Sequence, residues 1–379
     1  MKGLILNAEE KTARIQDIPQ PKPAKGEILV KVSAIALNPI DPIYSQNPLG
    51  KTGRTVGSDF SGTVEAFGDD VSSMSQLKLG DKVAGFLQGA CSVNDRPGAF
   101  AEYLIIPYDL VWRIPDNISL EEAASFNLAG LTAAQAIYYR LGLPTPFDSP
   151  VEQSVPETET INVLIYGASS SVGLWAAQLV NHVNLGAGKK IRLFGTASKA
   201  RFPLLQAAPY SYDHLVDYRD VSWPAEIKKL TGDEGIHYAY DCISEGNSVS
   251  NIHSTLNSKV GKMAIVRSRA AKAWTAGDLS PEPIYGAVWE GLGVEVEYFA
   301  FSIPESPKAR EFAVAFYRWL EEGKLKANPV RLMPGGLERI VEDGYVLLGP
   351  GSMSLRDQSR TEEWMKPVSA EKLVYRIDG

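Results

Sequence analysis

The stretch Ile161-Asn-Val-Leu-Ile-Tyr166-Gly-Ala-Ser-Ser-Ser-Val-Gly173 decides the fold class of the second half of the chain. A short apolar run typical of a buried parallel strand ends in a loop of small residues, and a helical pattern opens directly from that loop. Small side chains let the backbone approach a diphosphate, and the amides and dipole of a helix start favour its charge. Ser169 replaces the second glycine of the usual G-x-G-x-x-G spacing, so an ordinary tight turn stays open as an alternative. The strand and helix on either side favour dinucleotide binding.

Strand and helix patterns alternate after this loop. The sequence predicts a helix over 172–180 and strands over 190–194, 238–243 and 262–266. This alternation is typical of an α/β domain with a doubly wound parallel sheet and right-handed crossovers.

The residues after the second of these strands bear on the choice of cofactor. Sites that prefer NADH usually place an acidic residue there to hold the ribose hydroxyls, whereas this chain has Ser198, Lys199 and Arg201. A carboxylate would repel a 2′-phosphate, while a lysine and a hydroxyl attract it. NADPH is therefore favoured over NADH, with Lys199 as a solvated helix-start residue as the alternative.

The first 115 residues show a different pattern of short strands and turns. Strands are predicted over 26–36 and 61–67, and 80–83 is a turn that leads into a third. Strands in quick succession indicate a curled sheet or partial barrel. The last segment, 372–377, also has a strand pattern, and its return to this sheet would make the first domain discontinuous.

Helix signals and one loop complete the outline. Ser119 and Glu122 have the spacing of a capping box ahead of an alanine-rich helix, and a second helix is predicted over 132–139. Residues 144–160 hold four prolines and four acidic residues with no basic one, which indicates a surface loop. The clearest amphipathic helix spans 308–322 and ends before Gly323, and its apolar face consists of Phe312, Phe316, Trp319 and Leu320.

Composition limits the functional classes. With 44% apolar residues, 22% charged residues and a net charge of −7, the 379-residue chain suits a globular protein and not a nucleic-acid or membrane-surface binder. Cys91 and Cys242 cannot form a disulfide framework. The N-terminus lacks the features of a signal peptide, and we find no membrane-spanning run, so we expect a cytoplasmic protein.

Eight motifs spread over nearly the full chain, from Asn38-Pro-Ile-Asp41 to Glu371-Lys-Leu-Val374, resemble those of the medium-chain dehydrogenase/reductase superfamily, in its zinc-free quinone-reductase-like branch. A closer resemblance is to fungal trans-acting enoyl reductases of the lovastatin type, which partner polyketide synthases. That second resemblance comes from Leu-Gly-Leu-Pro at 141–144, the proline-rich insertion after it, and Val216-Asp-Tyr-Arg219. The superfamily motifs run nearly the full length: Asn38-Pro-Ile-Asp41, Gly57-Ser-Asp-Phe-Ser-Gly62, Gly80-Asp-Lys-Val83, Gly98-Ala-Phe-Ala-Glu-Tyr103, Leu131-Thr-Ala-Ala134, the loop 167–173, Asp241-Cys242 and Glu371-Lys-Leu-Val374.

The resemblance implies a GroES-like catalytic domain at 1–128 plus 302–379 and an inserted Rossmann domain at 129–301, with nicotinamide and substrate meeting in a cleft between them. The resemblance implies that Tyr218 contacts the 2′-phosphate of the cofactor. The alternative is that Tyr218 is a half-buried aromatic residue at a strand end with no ligand contact. The resemblance assigns Ser198, Lys199 and Tyr218 to the 2′-phosphate, and the remaining cofactor contacts to Gly167, Ser169, Ser170, Ser171, Val172, Gly173, Cys242 and Ile243.

The same resemblance indicates that zinc is absent. Zinc-dependent relatives hold the catalytic metal through a cysteine, a His-Glu pair and a later cysteine or histidine. This chain has Asn38 at the first position and Ser58-Asp59 at the pair, and Cys91 is the one cysteine in the region of the structural lobe. All four histidines fall in the nucleotide-binding half, without ligand spacing.

Without a Lewis acid, hydride addition to an activated C=C or a quinone is more plausible than alcohol oxidation. The protein would orient the reactants, exclude water and donate hydrogen bonds to the developing enolate. We predict Tyr44, Asn38 and Thr132 as donors; Asn38 as a turn residue and Thr132 as a helix-start cap are the alternatives. Relatives often place a tyrosine or lysine where this chain has Ile43, so either Tyr44 substitutes for it or water supplies the proton.

Three functions remain open. The favoured function is NADPH-dependent reduction of a carrier-tethered or free polyketide-like enoyl substrate. The second is reduction of small quinones or enones. The third is a non-catalytic scaffold that binds NADPH. A monomer or homodimer is expected, and 294–299 is the candidate dimer edge, although its alternating glutamates also suit edge protection. The segment 349–367, longer than in relatives, suits a lid, a docking surface or, as favoured, plain loop variation.

Overall fold

A computed structural model describes residues 1–232, 234–299, 301–352, 355–356 and 359–377. The strands, numbered in chain order, are β1 (Lys2–Asn7), β2 (Thr12–Asp17), β3 (Glu27–Ala36), β4 (Asp59–Phe67), β5 (Lys82–Phe86), β6 (Tyr103–Pro107), β7 (Val111–Arg113), β8 (Thr160–Tyr166), β9 (Lys190–Ala197), β10 (His214–Asp217), β11 (Tyr238–Asp241), β12 (Lys262–Ile265), β13 (Ile284–Tyr285), β14 (Val296–Glu297), β15 (Ser302–Ile303), β16 (Val330–Met333) and β17 (Lys372–Arg376).

The α-helices are α1 (Ile40–Gln46), α2 (Val71–Met74), α3 (Leu120–Ala124), α4 (Asn127–Ala134), α5 (Ser171–Asn181), α6 (Phe202–Gln206), α7 (Trp223–Leu230), α8 (Ser248–His253), α9 (Pro307–Leu320) and α10 (Val346–Leu348). Short 3₁₀ helices cover Tyr108–Leu110, Lys199–Arg201, Arg269–Ala271, Val288–Leu292, Gly336–Arg339 and Glu363–Met365, and π-helices cover Gln135–Arg140 and Ile340–Tyr345. Among the described residues, no helix combines the length and apolar character that crossing a membrane requires.

The chain divides into two compact units. The first comprises Met1–Ala129 and Trp289–Gly379, and the second comprises Gly130–Val288. The second boundary falls before Trp289 and not at the predicted 301/302. The centres of the Trp289 and Phe86 rings lie 5.9 Å apart, and Phe86 belongs to the first unit. This packing explains why the segment that begins at Trp289 belongs to the first unit.

The second unit contains the predicted parallel sheet. Its strand order is β10-β9-β8-β11-β12-β13, and every pairing is parallel. Apolar side chains of β8 from Ile161 to Ile165 are fully buried, because both faces of a parallel sheet are covered. The order reverses between β8 and β11, and this reversal is the switch point at which doubly wound sheets bind ligands. The predicted α/β fold is confirmed.

The first unit contains the predicted β-rich domain. Its seven-stranded sheet runs β16-β17-β3-β4-β5-β7, with β6 also paired to β3. The pairing of β3 with β4 shifts register after Leu29 and after Val32, and such irregularities bend a strand. The last strand, β17, pairs antiparallel with β3, as predicted, with Val374 opposite Ala36.

The helix predictions were correct where a local signal existed. The Ser119 hydroxyl accepts from the Glu122 amide at 3.2 Å, and the Glu122 carboxylate accepts from the Ser119 amide at 2.9 Å, which completes the capping box. The apolar face predicted for 308–322 is buried in α9. Residues 144–160 contain no helix or strand before β8 begins at Thr160.

The helix predicted over 132–139 was wrong in its bounds. Helix α4 begins at Asn127 and continues as the π-helix Gln135–Arg140. The Asn127 side chain accepts from Trp112 Nε1 at 2.8 Å and donates to the Phe60 carbonyl at 3.1 Å. These tertiary hydrogen bonds fix the start of the helix, and the local sequence carries no signal for them.

The candidate dimer edge 294–299 lies in the first unit. Within it, β14 pairs antiparallel with β15, and the Glu297 carbonyl accepts from the Val93 amide at 3.0 Å. This segment therefore satisfies backbone groups within its own chain and does not form the edge of the parallel sheet. The oligomeric state stays a prediction.

The long segment 349–367 is anchored to the first unit through Asp343. Met353, Ser354, Asp357 and Gln358 of this segment lie outside the described residues. The fully buried Asp343 carboxylate pairs with Arg360 at 3.2 Å and accepts from Trp364 Nε1 at 3.2 Å. Arg360 and Trp364 thus attach the described part of the segment to Asp343. Whether the segment is a lid, a docking surface or a variable loop remains a prediction.

Candidate active site

The phosphate loop joins β8 to α5 and requires glycine at two positions. Gly167 has φ +75°, and a Cβ there would lie 2.7 Å from Ile243 Cγ1. A Cβ on Gly173 would lie 2.3 Å from the Gly167 carbonyl oxygen. The Ser170 hydroxyl accepts from the Gly173 amide at 3.0 Å and caps the helix. A larger residue at Gly167 or Gly173 would therefore collide with Ile243 or with the backbone of the loop itself.

The outer side of this loop is open to solvent. Ser169, Ser170, Ser171 and Val172 are half-buried, whereas Ala168 is buried. Helix α5 spans eleven residues, and its first turn carries no acidic side chain. A helix start of this kind, reached over small residues, fits a dinucleotide diphosphate. The predicted contacts of Gly167 to Gly173 are therefore placed together in one loop.

The residues predicted for the 2′-phosphate come from neighbouring strands. The parallel strands β9 and β10 end side by side, with Asp217 opposite Ala197. Ser198 is the first residue after β9, and Tyr218 is the first residue after β10. Lys199 is exposed in the next turn. Tyr218 is 41% exposed, which leaves its ring accessible to a ligand rather than packed in the core.

Arg219 is a further cation at this position that the sequence reasoning missed. Its guanidinium carbon lies 5.4 Å from the centre of the Tyr218 ring, within cation–π range. The basic residue directly after Tyr218 was the available signal. Arg219 therefore adds positive charge beside the aromatic ring at the end of β10.

Asp241 organises the turn that carries Cys242 and Ile243. Its fully buried carboxylate accepts from the amides of Ile243 at 2.9 Å and Ser244 at 2.7 Å, and from the Ser248 hydroxyl at 2.6 Å. Burial raises the pKa of the Cys242 thiol well above its usual range, so this group stays protonated. Because Ile243 packs beneath Gly167, the structure brings these two predicted cofactor residues together.

Thr132 is the sixth residue of α4, so its alternative role as a helix-start cap is wrong. It lines a cavity of about 10 Å³, together with Arg140, Tyr240 and Val266. A space of this size matches about one water molecule. The Thr132 hydroxyl is therefore placed at the carboxyl edge of the parallel sheet, near the ends of β11 and β12.

Asn38 and Asp59, two of the positions that the resemblance aligns with zinc ligands, belong to a buried hydrogen-bonded network in the first unit. Asn38 Nδ2 donates to Asp59 Oδ2 at 3.0 Å, and the Leu128 amide donates to Asp59 Oδ1 at 2.8 Å. The Lys372 ammonium from β17 lies 3.2 Å from Asp59 Oδ2 and 2.5 Å from Asn38 Oδ1. Burial raises the pKa of the Asp59 carboxyl, and Lys372 opposes that rise.

This network concerns the predicted role of Asn38 and the predicted absence of zinc. Both polar atoms of the Asn38 side chain are engaged by Asp59 and Lys372, an arrangement that supports the structural alternative for Asn38. Its catalytic contact stays a prediction. Among the residues that the structure describes, no group of three or more His, Cys, Asp and Glu side chains is placed to hold a metal ion.

Tyr44 lies on the short helix α1, which begins directly after Asn38-Pro39. The Asp41 carboxylate accepts from the Asn38 amide at 2.6 Å, and burial raises the pKa of Asp41 to about 8. Tyr44 itself is half-buried beside Ile43. The structure thus places Asn38 just before α1 and Tyr44 within it, both in the first unit, while Thr132 belongs to the second.

One cavity of the first unit measures about 510 Å³, and none of its lining residues is a predicted site residue. Lys2, Glu102, Glu338 and Arg376 supply its charged walls, and two of these, Lys2 and Glu338, pair at 2.9 Å. Volume alone does not make it the catalytic site, because the phosphate loop and the Thr132 edge belong to the other unit.

Comparison with known proteins agrees with this arrangement. Residues 24–116 match the alcohol dehydrogenase GroES-like domain. The chain is 32% identical over 369 residues to the trans-enoyl reductase ACTTS2 of Alternaria alternata, covering 96% of each chain. It is 30% identical over 383 residues to the trans-enoyl reductase traG of Penicillium crustosum, covering 99% of this chain and 96% of that one.

Solved structures share the whole fold. An alcohol dehydrogenase superfamily protein from Novosphingobium aromaticivorans superposes with a TM-score of 0.71 at 19% identity, with 100% of both chains covered. The CurK enoyl reductase gives a TM-score of 0.70 at 18% identity, covering 99% of this chain and 98% of that one. A mycobacterial protein in complex with NADPH gives 0.67 at 21% identity, covering 99% of this chain and 100% of that one.

The two units thus have the fold of a medium-chain dehydrogenase/reductase, a GroES-like domain with an inserted Rossmann domain. Within that superfamily, the chain belongs to the trans-enoyl reductase family.

Proposed function

We propose that the protein is a zinc-independent, NADPH-dependent enoyl reductase that acts on a polyketide-like enoyl thioester, with a polyketide synthase as its partner. The observation that carries this proposal is the loop from Gly167 to Gly173, whose two obligatory glycines and capped helix start fit a dinucleotide diphosphate. Full-length similarity to trans-enoyl reductases supports the reaction class.

The chain's own residues suit the binding of NADPH. The amides at the start of α5 would receive the diphosphate, and Gly167 leaves room for Ile243 against the loop. Lys199, Tyr218 and Arg219 surround the position proposed for the 2′-phosphate, with Ser198 as a hydroxyl partner. When bound, the reduced nicotinamide supplies hydride to the β-carbon of an activated C=C.

Two hydroxyl groups are proposed to serve the reacting carbonyl. Thr132 lies at the sheet edge and would donate a hydrogen bond as negative charge develops on the enolate oxygen. Tyr44 on α1 is the proposed proton donor, and water takes that role if Tyr44 does not reach the substrate. Lys372 pairs with Asp59 and donates to Asn38, contacts that support a structural role for these two residues beside the proposed catalytic contact of Asn38.

The test follows oxidation of NADPH by the purified chain with two substrate panels, enoyl thioesters and small quinones or enones. Turnover of the thioesters, lost in Tyr44→Phe or Thr132→Val but not in the exposed control Lys228→Ala, would support the proposal. Turnover of quinones alone would favour a general quinone and enone reductase. NADPH binding without turnover in either panel would favour a scaffold.

A further inference from the structure

The loop after β12 carries a local excess of positive charge. Residues 266–276 read Val-Arg-Ser-Arg-Ala-Ala-Lys-Ala-Trp-Thr-Ala, with three basic residues and no acidic one in a chain of net charge −7. None of these three cations belongs to the phosphate loop or to the proposed 2′-phosphate position. A concentrated positive charge at the ligand-binding edge of a sheet points to an anionic ligand.

Hydrogen bonds hold this loop against the turn that carries Cys242 and Ile243. The Val266 amide donates to Ser244 Oγ at 3.1 Å, and the Gly246 amide donates to the Ala273 carbonyl at 2.9 Å. The Thr275 amide in turn donates to the Gly246 carbonyl at 3.2 Å. The basic loop is therefore a fixed neighbour of the proposed cofactor residues within the second unit.

The three cations are not equivalent. The Arg267 guanidinium pairs with the Glu245 carboxylate at 3.0 Å, which offsets its charge. Arg269 is exposed, with its guanidinium carbon 4.9 Å from the centre of the Trp274 ring and its Nη1 donating to the Ala276 carbonyl at 2.9 Å. Lys272 is also exposed. Arg269 and Lys272 therefore supply the net charge, and the Trp274 contact orients Arg269 in advance.

The strand order indicates which part of a bound complex this loop would meet. A dinucleotide bound at the switch point between β8 and β11 has its adenosine ribose at the end of the second strand, here β9. The nicotinamide half then extends toward β11 and β12 on the other side of β8. An anion held after β12 lies on the substrate side, whereas the diphosphate of the cofactor lies at the loop after β8.

We propose that Arg269 and Lys272 bind the phosphate of a phosphopantetheine arm, the group that presents an acyl thioester either on a carrier protein or as coenzyme A. This inference rests on the proposed enoyl reduction and names the class of thioester. An arginine held by an aromatic ring and an exposed lysine form a site for a phosphate, since a planar guanidinium donates in parallel and an ammonium adds charge.

The experiment compares one enoyl group on four thioesters: phosphate-free pantetheine, phosphopantetheine, coenzyme A and a phosphopantetheinylated carrier protein. For the unaltered chain, we expect the KM of the phosphate-bearing thioesters to be about tenfold or more below that of the pantetheine thioester, as one charge-assisted phosphate contact provides. Lys272→Ala and Arg269→Ala should erase this difference and leave kcat/KM for the pantetheine thioester unchanged.

Controls separate this inference from the proposed function. Lys228→Ala removes an exposed lysine of α7, in the same unit, and should behave as the unaltered chain. If Arg269→Ala unfolds through loss of its Trp274 contact, Lys272→Ala still tests the phosphate contact, because Lys272 is exposed.

Several outcomes would overturn the inference. Equal KM values for pantetheine and phosphopantetheine thioesters would do so while leaving enoyl reduction intact. An increase in the Kd of NADPH in Lys272→Ala would assign the charge to the cofactor instead. Failure of the unaltered chain to reduce even the phosphate-free thioester would refute the proposed function itself. Whichever of the carrier and coenzyme A thioesters has the lower KM identifies the source of the phosphate.

Discussion

Lys372, on the last strand, places its ammonium 3.2 Å from the Asp59 carboxylate on β4, with both side chains almost completely buried. Asn38 bridges the two, accepting from Lys372 and donating to Asp59. Asn38 and Asp59 are two of the positions that the family resemblance aligns with the zinc ligands of zinc-dependent relatives. Here an ammonium group supplies the positive charge, and it arrives on β17 because that strand pairs with β3.

Lys372→Met should lower the free energy of unfolding by about 3–5 kcal/mol, since it leaves a buried carboxylate without its counter-charge. Urea unfolding of the full chain measures this loss. Adding Asp59→Asn to Lys372→Met should restore part of it. Lys2→Met, which removes the exposed pair with Glu338, should leave the unfolding midpoint nearly unchanged. A similar small effect for Lys372→Met would contradict the prediction.

Asp41 makes stability depend on pH. Burial raises its pKa in the folded chain to about 8 from an ordinary 3.8, so the folded chain binds more protons than the unfolded chain between these values. The stabilisation is complete below about pH 4 and is lost as pH rises through about 8, with a slope of ~1.4 kcal/mol per pH unit. Asp41→Asn should flatten this slope, and exposed Asp116→Asn should not. Parallel profiles for the unaltered chain and Asp41→Asn would refute the assignment.

Lys199→Ala should raise the Kd of NADPH by roughly tenfold and leave that of NADH unchanged, because loss of one charge-assisted contact affects the 2′-phosphate alone. Arg219→Ala should act in the same direction. Fluorescence titration with both reduced nucleotides makes the comparison, with Lys228→Ala as the control on α7. If Lys199→Ala weakens both nucleotides equally, Lys199 does not select for NADPH.

Gly173→Ala should impair dinucleotide binding, because its Cβ would lie 2.3 Å from the Gly167 carbonyl oxygen. The backbone must shift, and overpacking of this kind costs about 1–3 kcal/mol. Gly277→Ala is the matched control, since a Cβ there meets nothing within 4 Å. NADPH titration and thermal unfolding together measure the effect. Unchanged affinity in Gly173→Ala would show that this close approach does not shape the site.

Asp343→Ala should lower the free energy of unfolding by about 1–3 kcal/mol, because it removes the buried acceptor of hydrogen bonds from the partly exposed Arg339 and Trp364 side chains. Glu342→Ala removes the neighbouring, largely exposed carboxylate that also pairs with Arg339, and should change stability little. Urea unfolding compares the two variants. Equal losses would mean that the burial of Asp343 does not determine its contribution.

Local signals in the sequence determined much of the fold. The apolar run before Gly167 predicted β8, the small residues after it predicted the phosphate loop, and the Ser119–Glu122 spacing predicted a capping box that the structure contains. Each of these features depends on residues only a few positions apart. The sequence could therefore specify them before any tertiary contact was known.

Tertiary structure decided the features that join distant segments. The lysine at the start of β17 was visible in the sequence, but only the β17–β3 pairing shows that it reaches Asp59. The start of α4 at Asn127 depends on Trp112 and Phe60. Burial and strand register determine these contacts, which join residues far apart in the chain. The short-range periodicity of the sequence carries no information about burial by distant segments or about strand register.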